Sequence, residues 1–194
     1  MIISSDGELV LRPIEGAFPS ELEDIYQAAC AEFDDFCGRG DDYSRRGLLP
    51  GQGGALNPRQ PENLEHLALS VGTVTVGYAA VYRDFPAKSF VELMFLYIAP
   101  PARGTGSGTR AMENLSRYFA QTGYGTMRVR VGLDEREAMR FFYRAGFTRP
   151  LELRPAADLS DEDFVMLTLE KDLSFKFNIF PIVYVSSNFV KINS

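Results

Sequence analysis

The stretch from residue 90 to residue 119 constrains the fold more than any other part of this chain. Residues 90–98 form a nearly continuous apolar run, typical of a buried strand, and a turn containing Gly104, Gly106 and Gly108 follows. After the turn, residues recur at the spacing of an amphipathic helix. Those residues are Thr109, Met112, Leu115, Tyr118 and Phe119. The sequence therefore predicts a strand, a glycine-rich turn and a helix in direct succession.

Such a turn is suited to holding a phosphate group. Glycine lets the backbone approach an anion closely, and the first amides of a helix have no partner within the helix. Their partial positive charge favours a pyrophosphate at the helix N-terminus. The expected donors are the backbone amides of Gly104, Gly106, Ser107, Gly108 and Thr109.

Two common nucleotide-binding turns do not match this pattern. A P-loop ends in Lys followed by Ser or Thr, whereas Gly108 is followed here by Thr109 and Arg110. A dinucleotide-binding turn has G-x-G-x-x-G spacing early in a βαβ unit, with an acidic residue on a second strand. The P-loop pattern is absent and the dinucleotide-binding pattern fits poorly, so the turn belongs to a different class of phosphate-binding loop.

The spacing R-x-x-G-x-G from Arg103 to Gly108, preceded by residues 96–100, resembles the acetyl-CoA pyrophosphate loop of the GCN5-related N-acetyltransferases. Residues 138–147, AMRFFYRAGF, resemble the motif of the same family in which a helix ends at a Gly-Phe pair. One helix and one strand separate the two motifs, as in the family. The resemblance covers roughly residues 8–172.

This resemblance implies an α/β protein with a central, twisted, mixed β-sheet of about seven strands, flanked by helices on both faces. It further implies an acetyl-CoA-dependent N-acetyltransferase without a metal. Such an enzyme moves an acetyl group by direct transfer to the primary amine of an unidentified small molecule or peptide. A non-catalytic acyl-CoA-binding or regulatory module of the same fold is the alternative.

The resemblance assigns the contacts with acetyl-CoA to two segments. The main chain at the end of the strand pairs with the pantetheine arm like an added strand, and the loop binds the pyrophosphate. Arg103 either supplies charge to that site or braces the turn. The predicted cofactor-binding residues are Leu96, Tyr97, Ile98, Arg103, Gly104, Thr105, Gly106, Ser107, Gly108 and Thr109.

Glu92 is the predicted catalytic base. It lies eleven residues before Arg103, a spacing at which members of the family often place a glutamate, and it interrupts an otherwise apolar strand. A carboxylate among apolar neighbours has a raised pKa, which suits a base that works near neutral pH. The alternative is a solvent-facing glutamate at the start of the strand.

The proton donor for the leaving thiolate is less well defined. Family members often carry a tyrosine four residues before the glycine of the Gly-Phe pair, and Phe142 occupies that position here. Tyr143 follows, but a shift of one residue turns a helical side chain by about 100°. Tyr143 therefore acts only if the helix is locally rotated or overwound; otherwise solvent or Tyr97 takes the role, or the acid is absent. Glu135 also replaces a common asparagine of the family that contacts pantetheine.

Periodicity predicts the other elements. The predicted strands are 9–14, 66–71, 74–83, 90–98, 127–131, 147–153 and 164–170. The predicted helices are 21–33, 106–122 and 135–144. The second and third strands should form a hairpin around Gly72 and Thr73, and the last two should pair. Residues 34–62 are rich in Gly and Pro and predict a broken second helix followed by a long loop. The family resemblance implies that this region forms one wall of the acceptor site.

The composition bears on partners and location. A net charge of −6 argues against a nucleic-acid partner and mildly favours a cationic acceptor. No apolar run reaches about 18 residues and the N-terminus does not resemble a signal peptide, so we expect a cytoplasmic protein without membrane contact. Cys30 and Cys37, with His66 as the single histidine, favour reduced structural thiols over a metal site.

Two regions leave alternatives open. An acidic cluster either attracts the acceptor amine or forms a solvated helix end. Its members are Glu32, Asp34, Asp35, Asp41 and Asp42. We assign residues 1–173 to the N-acetyltransferase domain and residues 174–194 to an apolar C-terminal extension. That extension is an extra strand, within the monomer or across a homodimer, or a disordered segment.

Overall fold

The computed structural model describes residues 4–5, 9–14, 20–37, 61–133, 135–155 and 165–174. Its strands are β1 (Ser4–Ser5), β2 (Leu9–Pro13), β3 (Leu64–Val71), β4 (Val74–Arg83), β5 (Phe90–Ile98), β6 (Thr126–Gly132), β7 (Arg149–Pro155) and β8 (Val165–Asp172). Its helices are α1 (Ser20–Cys37), α2 (Ser107–Gln121) and α3 (Arg136–Arg144). The seven predicted strands and the helices predicted over 21–33, 106–122 and 135–144 are confirmed, with shifts of a few residues at their ends. The broken second helix predicted within residues 34–62 falls mostly outside the described residues.

Helix α1 is longer than the sequence predicted. The prediction ended it at Phe33 and made the chain irregular from residue 34, but the helix continues to Cys37. Residues 34–37 contain no Gly or Pro, and the first residue of low helix propensity after them is Gly38. The predicted loop over residues 38–60 lies outside the described residues. So does the C-terminal extension beyond Ser174.

The strands form one mixed sheet in the order β1-β2-β3-β4-β5-β6-β8-β7. Neighbouring strands are antiparallel except β5 and β6, which are parallel because α2 returns the chain between them. The predicted pairing of the last two strands is confirmed by β7 and β8. The sheet has seven strands of five or more residues besides the two-residue β1, so the predicted fold class is confirmed.

Helices cover both faces of this sheet. On one face α1 packs against β4, where Tyr26 meets Tyr78 edge-on at 6.2 Å between ring centroids. On the other face the apolar stripe of α2 joins the main core, and α3 packs beside it. The fully buried side chains contributed by α2 include Met112, Leu115 and Phe119. Asn114 of α2 donates from Nδ2 to Leu9 O at 3.1 Å and so ties β2 to the helix.

A β-bulge in β5 determines which side chains face α1. Ala80 pairs with Phe95 and Val81 pairs with Leu93, so Met94 is one residue in excess. The extra residue reverses the alternation of side chains along β5. As a result Glu92, Phe95 and Tyr97 point to the face covered by α1, whereas Leu93 and Leu96 point to the main core.

Strands β5 and β6 pair over only part of their length. Their register runs from Phe90 opposite Thr126 to Leu93 opposite Val129 and then stops, although both strands continue. Within the described part of the chain, residues 94–98 therefore have a strand partner on the β4 side alone. We call the gap between the unpaired ends of the two strands the cleft; Glu92 lies beside its narrow end, next to the last paired residues.

Gly77→Ala will destabilise the protein, because Gly77 faces the end of β5 where no side chain fits. A Cβ at this position would lie 2.3 Å from Tyr97 O, a backbone atom that cannot move alone. We expect a loss of about 1–3 kcal/mol in the free energy of unfolding, measured by urea denaturation. Gly125→Ala, where a Cβ meets nothing within 4 Å, is the control. Equal unfolding energies for the two variants would contradict this assignment.

Candidate active site

The loop between β5 and α2 gathers backbone amides around one point. Gly104 and Gly106 have positive φ angles of 74° and 85°, and Gly106 caps the N-terminus of α2. The first bond into the helix runs from Arg110 N to Gly106 O at 3.0 Å. Among the described residues, the amides from 104 to 109 donate to no backbone carbonyl. This is the geometry of an anion-binding helix start.

Side chains of the loop keep it in this open form. Thr105 Oγ1 donates to Ala102 O at 2.7 Å and lies 2.9 Å from Ser107 Oγ. Arg110 Nη2 donates to Thr105 O at 3.2 Å. No described atom comes within 4 Å of the place a Cβ would take at Gly104. The loop therefore leaves room for a phosphate group beside its amides.

Arg103 braces the loop from outside. Its Nε donates to Ile98 O at 2.8 Å, and its Nη2 donates to Glu32 Oε2 on α1 at 2.7 Å. The guanidinium carbon lies 5.1 Å from the ring centroid of Tyr97, whose hydroxyl donates to Glu32 Oε1 at 2.9 Å. Of the two roles that the sequence left open for Arg103, these contacts favour the brace.

Glu32→Gln will weaken acetyl-CoA binding by a small factor, because it loosens this brace. Burial tends to raise the pKa of Glu32, but hydrogen bonds from Arg103 and Tyr97 lower it overall, so the carboxylate is ionised at neutral pH. Half-exposed ion pairs contribute about 0.2–1 kcal/mol, so we expect at most about a fivefold rise in Kd by calorimetry. Glu23→Gln on the exposed side of α1 is the control, and indistinguishable Kd values would contradict the brace.

A groove of about 340 Å³ lies between the start of α2 and α3. It is lined by Thr109, Glu137, Arg140, Phe141, Arg144 and Ala145. Gly108 allows this close packing, because a Cβ there would be 3.2 Å from Phe141 Cε2. Arg140 and Arg144 lie one helical turn apart and add positive charge beside the phosphate loop. The sequence analysis missed these two arginines, although their i,i+4 spacing on the helix of the second motif was a signal.

Glu92 is buried at the narrow end of the cleft. It is 4% exposed, and its Oε1 accepts from Arg130 Nε at 2.6 Å. Its other oxygen, Oε2, makes no hydrogen bond within the described part of the chain. Burial raises the pKa of Glu92, and the charges of Arg130 and Arg128 only partly counter that effect. Of the two environments weighed for Glu92, the structure gives the buried one.

Charged residues continue from Glu92 across the sheet in strict register. Glu92 stands opposite Arg128, Arg128 opposite Glu170, and Glu170 opposite Arg149. Arg128 Nε donates to Glu170 Oε1 at 2.6 Å, and Arg149 Nη1 lies 3.5 Å from Glu170 Oε2. We call these four residues the charged row. The sequence analysis missed it, although charged and apolar residues alternate along β6.

The two tyrosines considered as proton donors are placed differently from each other. Tyr143 is 66% exposed on α3, which is an unbroken α-helix, whereas Phe142 packs against Phe147 at 5.5 Å between ring centroids. The local rotation that Tyr143 would need is absent from α3. The hydroxyl of Tyr97 donates to Glu32, and burial together with that carboxylate raises the pKa of Tyr97.

His66 is a buried structural residue. Its Nδ1 contacts the hydroxyl of Tyr78, the two rings are stacked, and burial lowers the pKa of His66 to about 4. It is therefore neutral at physiological pH. No group of three His, Cys, Asp or Glu residues that could hold a metal occurs among the described residues. In the same part of the chain, no helix has the length and apolar character needed to span a membrane.

The acidic cluster is described only in part. The side chain of Glu32 is ordered by Arg103 and Tyr97, so it belongs to the brace of the loop. The backbone of Asp34 and Asp35 is helical, and their side chains lie outside the description. Asp41 and Asp42 lie outside the described residues altogether. The two readings of this cluster therefore both stand as predictions.

An amide-lined loop, a cleft between separating strands and a buried carboxylate define a protein that binds a phosphate-bearing ligand and can accept a proton. A family model described as the acetyltransferase (GNAT) family matches residues 22–147. The chain belongs to this family. It is an acetyltransferase with acetyl-CoA as its acetyl donor and an amine as its acceptor.

Solved structures of similar fold support the same architecture. The ribosomal-protein-S18-alanine N-acetyltransferase from Escherichia coli is 13% identical, with a TM-score of 0.58 over 88% of this chain and 97% of that one. IAA acetyltransferase from Bacillus cereus is 14% identical, with a TM-score of 0.58 over 84% and 99%. A GNAT family acetyltransferase from Elizabethkingia anophelis with acetyl-CoA bound is 13% identical, with a TM-score of 0.59 over 86% and 99%. The sequence matches no curated protein.

Proposed function

We propose that this enzyme transfers the acetyl group of acetyl-CoA directly to the primary amine of a small molecule or peptide, with Glu92 as the base. One observation carries the proposal: the buried Glu92 stands at the last paired positions of β5 and β6, and the amide-lined loop follows the unpaired end of β5. The amine nitrogen attacks the thioester carbonyl, the carbon–sulfur bond breaks, and an amide and free coenzyme A result. Glu92 takes one proton from the ammonium and so frees the nitrogen lone pair for attack. The second proton leaves the nitrogen for solvent as the carbon–sulfur bond breaks, and solvent protonates the thiolate.

The donor is held by three parts of the chain. The amides of Gly104 to Thr109 bind the pyrophosphate, with Arg103 bracing them from outside. The unpaired edge of β5 at Leu96 to Ile98 offers main-chain groups to the pantetheine arm, as an added strand would use them. The groove beside Arg140 and Arg144 takes the remaining anionic part of the nucleotide.

Glu92 is suited to accept the proton of the incoming ammonium. Its Oε2 is free of hydrogen bonds to described residues, and its raised pKa brings it closer to the pH at which a base works best. Arg130 fixes the other oxygen and so orients the carboxylate. The proton transfer then needs no movement of the side chain.

The leaving thiolate takes its proton from solvent in this proposal. Tyr97 is engaged with Glu32, and Tyr143 lies exposed on α3. A thiol has a pKa of about 8.5, so its anion leaves readily near neutral pH without a dedicated acid. The absence of a tyrosine at Phe142 is therefore compatible with catalysis.

Two measurements test the function. Isothermal titration should show saturable binding of acetyl-CoA, and a thiol reagent should detect free coenzyme A only when an amine acceptor is added. Binding without thiol release for every amine in a broad panel would support the alternative, a non-catalytic acyl-CoA-binding module. No binding of acetyl-CoA would contradict both.

We also propose that the enzyme is cytoplasmic and has no nucleic-acid partner. Its acetyl donor is made and used inside cells, and a net charge of −6 disfavours phosphate backbones. Residues 1–173 form the catalytic domain in this proposal, and the extension 174–194 either adds a strand, within the monomer or across a homodimer, or is disordered. Cell fractionation and sedimentation of the full chain test the location and the oligomeric state.

A further inference from the structure

Arg130 is placed to contact the acceptor. Pairing between β5 and β6 ends at Leu93 and Val129, and Arg130 is the next residue of β6. Its Nε holds Glu92 Oε1 at 2.6 Å, and its side chain is 39% exposed. Within the described chain its two Nη atoms have no hydrogen-bond partner. A guanidinium with free donors therefore stands at the narrow end of the cleft, beside the base.

The charges around Arg130 do not cancel. The charged row and Arg130 together contain three arginines but only two carboxylates, Glu92 and Glu170. Arg128 and Arg149 share Glu170, and Arg128 also lies over the ring of Phe90 at 4.8 Å. The set therefore carries one excess positive charge at the Glu170 end, whereas Arg130 is paired one to one with Glu92 and offers its free Nη donors to the cleft.

We infer that the acceptor carries a carboxylate close to its amino group, as an α- or β-amino acid does, and that Arg130 binds this carboxylate. The inference rests on the proposed function. The planar fork of a guanidinium matches a carboxylate and binds it with paired hydrogen bonds. Because Arg130 touches Glu92, a ligand that places its amine at Glu92 Oε2 and its carboxylate at Arg130 must hold the two groups only a few atoms apart.

Long polyamines fit this site less well. A second ammonium group close to the first would be repelled by the guanidinium of Arg130, and Glu92, the carboxylate that faces it, is already used by the first amine. A free amino acid brings one negative charge to the guanidinium and one amine to the base. The site is therefore matched to a zwitterion, both in charge and in spacing.

The test compares common L-amino acids with their α-amides as acceptors, using release of coenzyme A thiol. An amide has the same shape and the same amine but no negative charge. Its amino group also loses its proton more readily, so chemistry alone favours the amide. We expect at least one free amino acid to show a kcat/KM about tenfold or more above that of its amide.

Substitutions of Arg130 test whether this residue causes the preference for the free acid over the amide. In Arg130→Gln the ratio of free acid to amide should fall close to one, mainly through a higher KM for the acid, while Arg130→Lys should keep part of it. The affinity for acetyl-CoA should not change. Effects of the substitution on Glu92 itself act equally on acid and amide, so they cancel in the ratio.

Arg149→Gln is the matched control. It removes an arginine from the same face, but Arg149 is at the exposed far end of the charged row, so the ratio should be retained. Circular dichroism and thermal melting confirm that each variant is folded. A ratio near one in the unmodified enzyme, or a preference that survives Arg130→Gln, would overturn the inference and leave the acetyltransferase function intact. Failure to acetylate any acid or amide would also overturn the inference, whereas the acetyltransferase function is decided by the broad panel of amines described above.

Discussion

Gly106→Glu will raise the Kd for acetyl-CoA by about 100-fold or more. The new carboxylate would stand at the N-cap of α2, where the unpaired amides from 104 to 109 converge. It would occupy the place of the pyrophosphate and repel it; two like charges about 4 Å apart repel by about 4 kcal/mol at the effective dielectric of a protein surface. Isothermal titration measures the loss directly.

Gly123→Glu is the control for this variant. Gly123 also has a positive φ angle, 96°, and a Cβ there meets nothing within 4 Å, so both substitutions impose a similar backbone strain. The control places its carboxylate just beyond the C-terminus of α2, where the helix dipole disfavours it, so any loss of stability should be greater there. A variant at Gly106 that is folded and binds acetyl-CoA as the control does would refute the assignment of the loop.

Glu92→Gln will lower kcat by about 10²–10⁴-fold and leave the Kd for acetyl-CoA unchanged. Glutamine fills the same space but cannot accept the proton of the acceptor amine. The proposed donor contacts lie on the loop and on the end of β5, so the substitution should preserve them. Glu170→Gln is the control. It also removes a buried carboxylate that pairs with an arginine on this face, but Glu170 lies away from the cleft, so kcat should stay near its original value. An unchanged kcat in Glu92→Gln would rule out its role as the base.

The dependence on pH follows from the raised pKa of Glu92. Activity should rise with pH through this pKa, as the carboxylate forms, and Glu92→Gln should lose that rise. Stability should change in the opposite sense. The folded state favours the protonated form, so the contribution of Glu92 is fully present below the ordinary glutamate pKa and is lost as pH rises through the raised value. Denaturation at several pH values should show a weaker loss in Glu92→Gln.

The sequence was sufficient for the parts of the site that depend on neighbouring residues. The strand, the turn and the helix around Gly106 follow one another along the chain, so their order and the positive φ of the glycines could be predicted from spacing. These features need only local conformation and the alternation of a strand. For Glu92 the sequence left a buried and a solvent-facing environment open, and the structure gives the buried one.

Contacts between distant parts of the chain could not be predicted in this way. Arg130 lies 38 residues from Glu92, and Arg103 lies 71 residues from Glu32, so both pairs depend on strand register and helix placement. The bulge at Met94 is a further obstacle. If side chains simply alternated along β5 from Glu92, Tyr97 would point to the opposite face. The alternation of a regular strand does not account for the extra residue of a bulge.

The bulge has a consequence for how this protein can vary. Glu92, the proposed base, and Tyr97, which supports the brace of the loop, share one face of the sheet only because Met94 is added between them. Inserting or deleting one residue in this interval would move one of the two side chains to the other face. The number of residues between Glu92 and Tyr97 is therefore more tightly restricted than the identity of those residues. Insertions and deletions here should be less tolerated than substitutions.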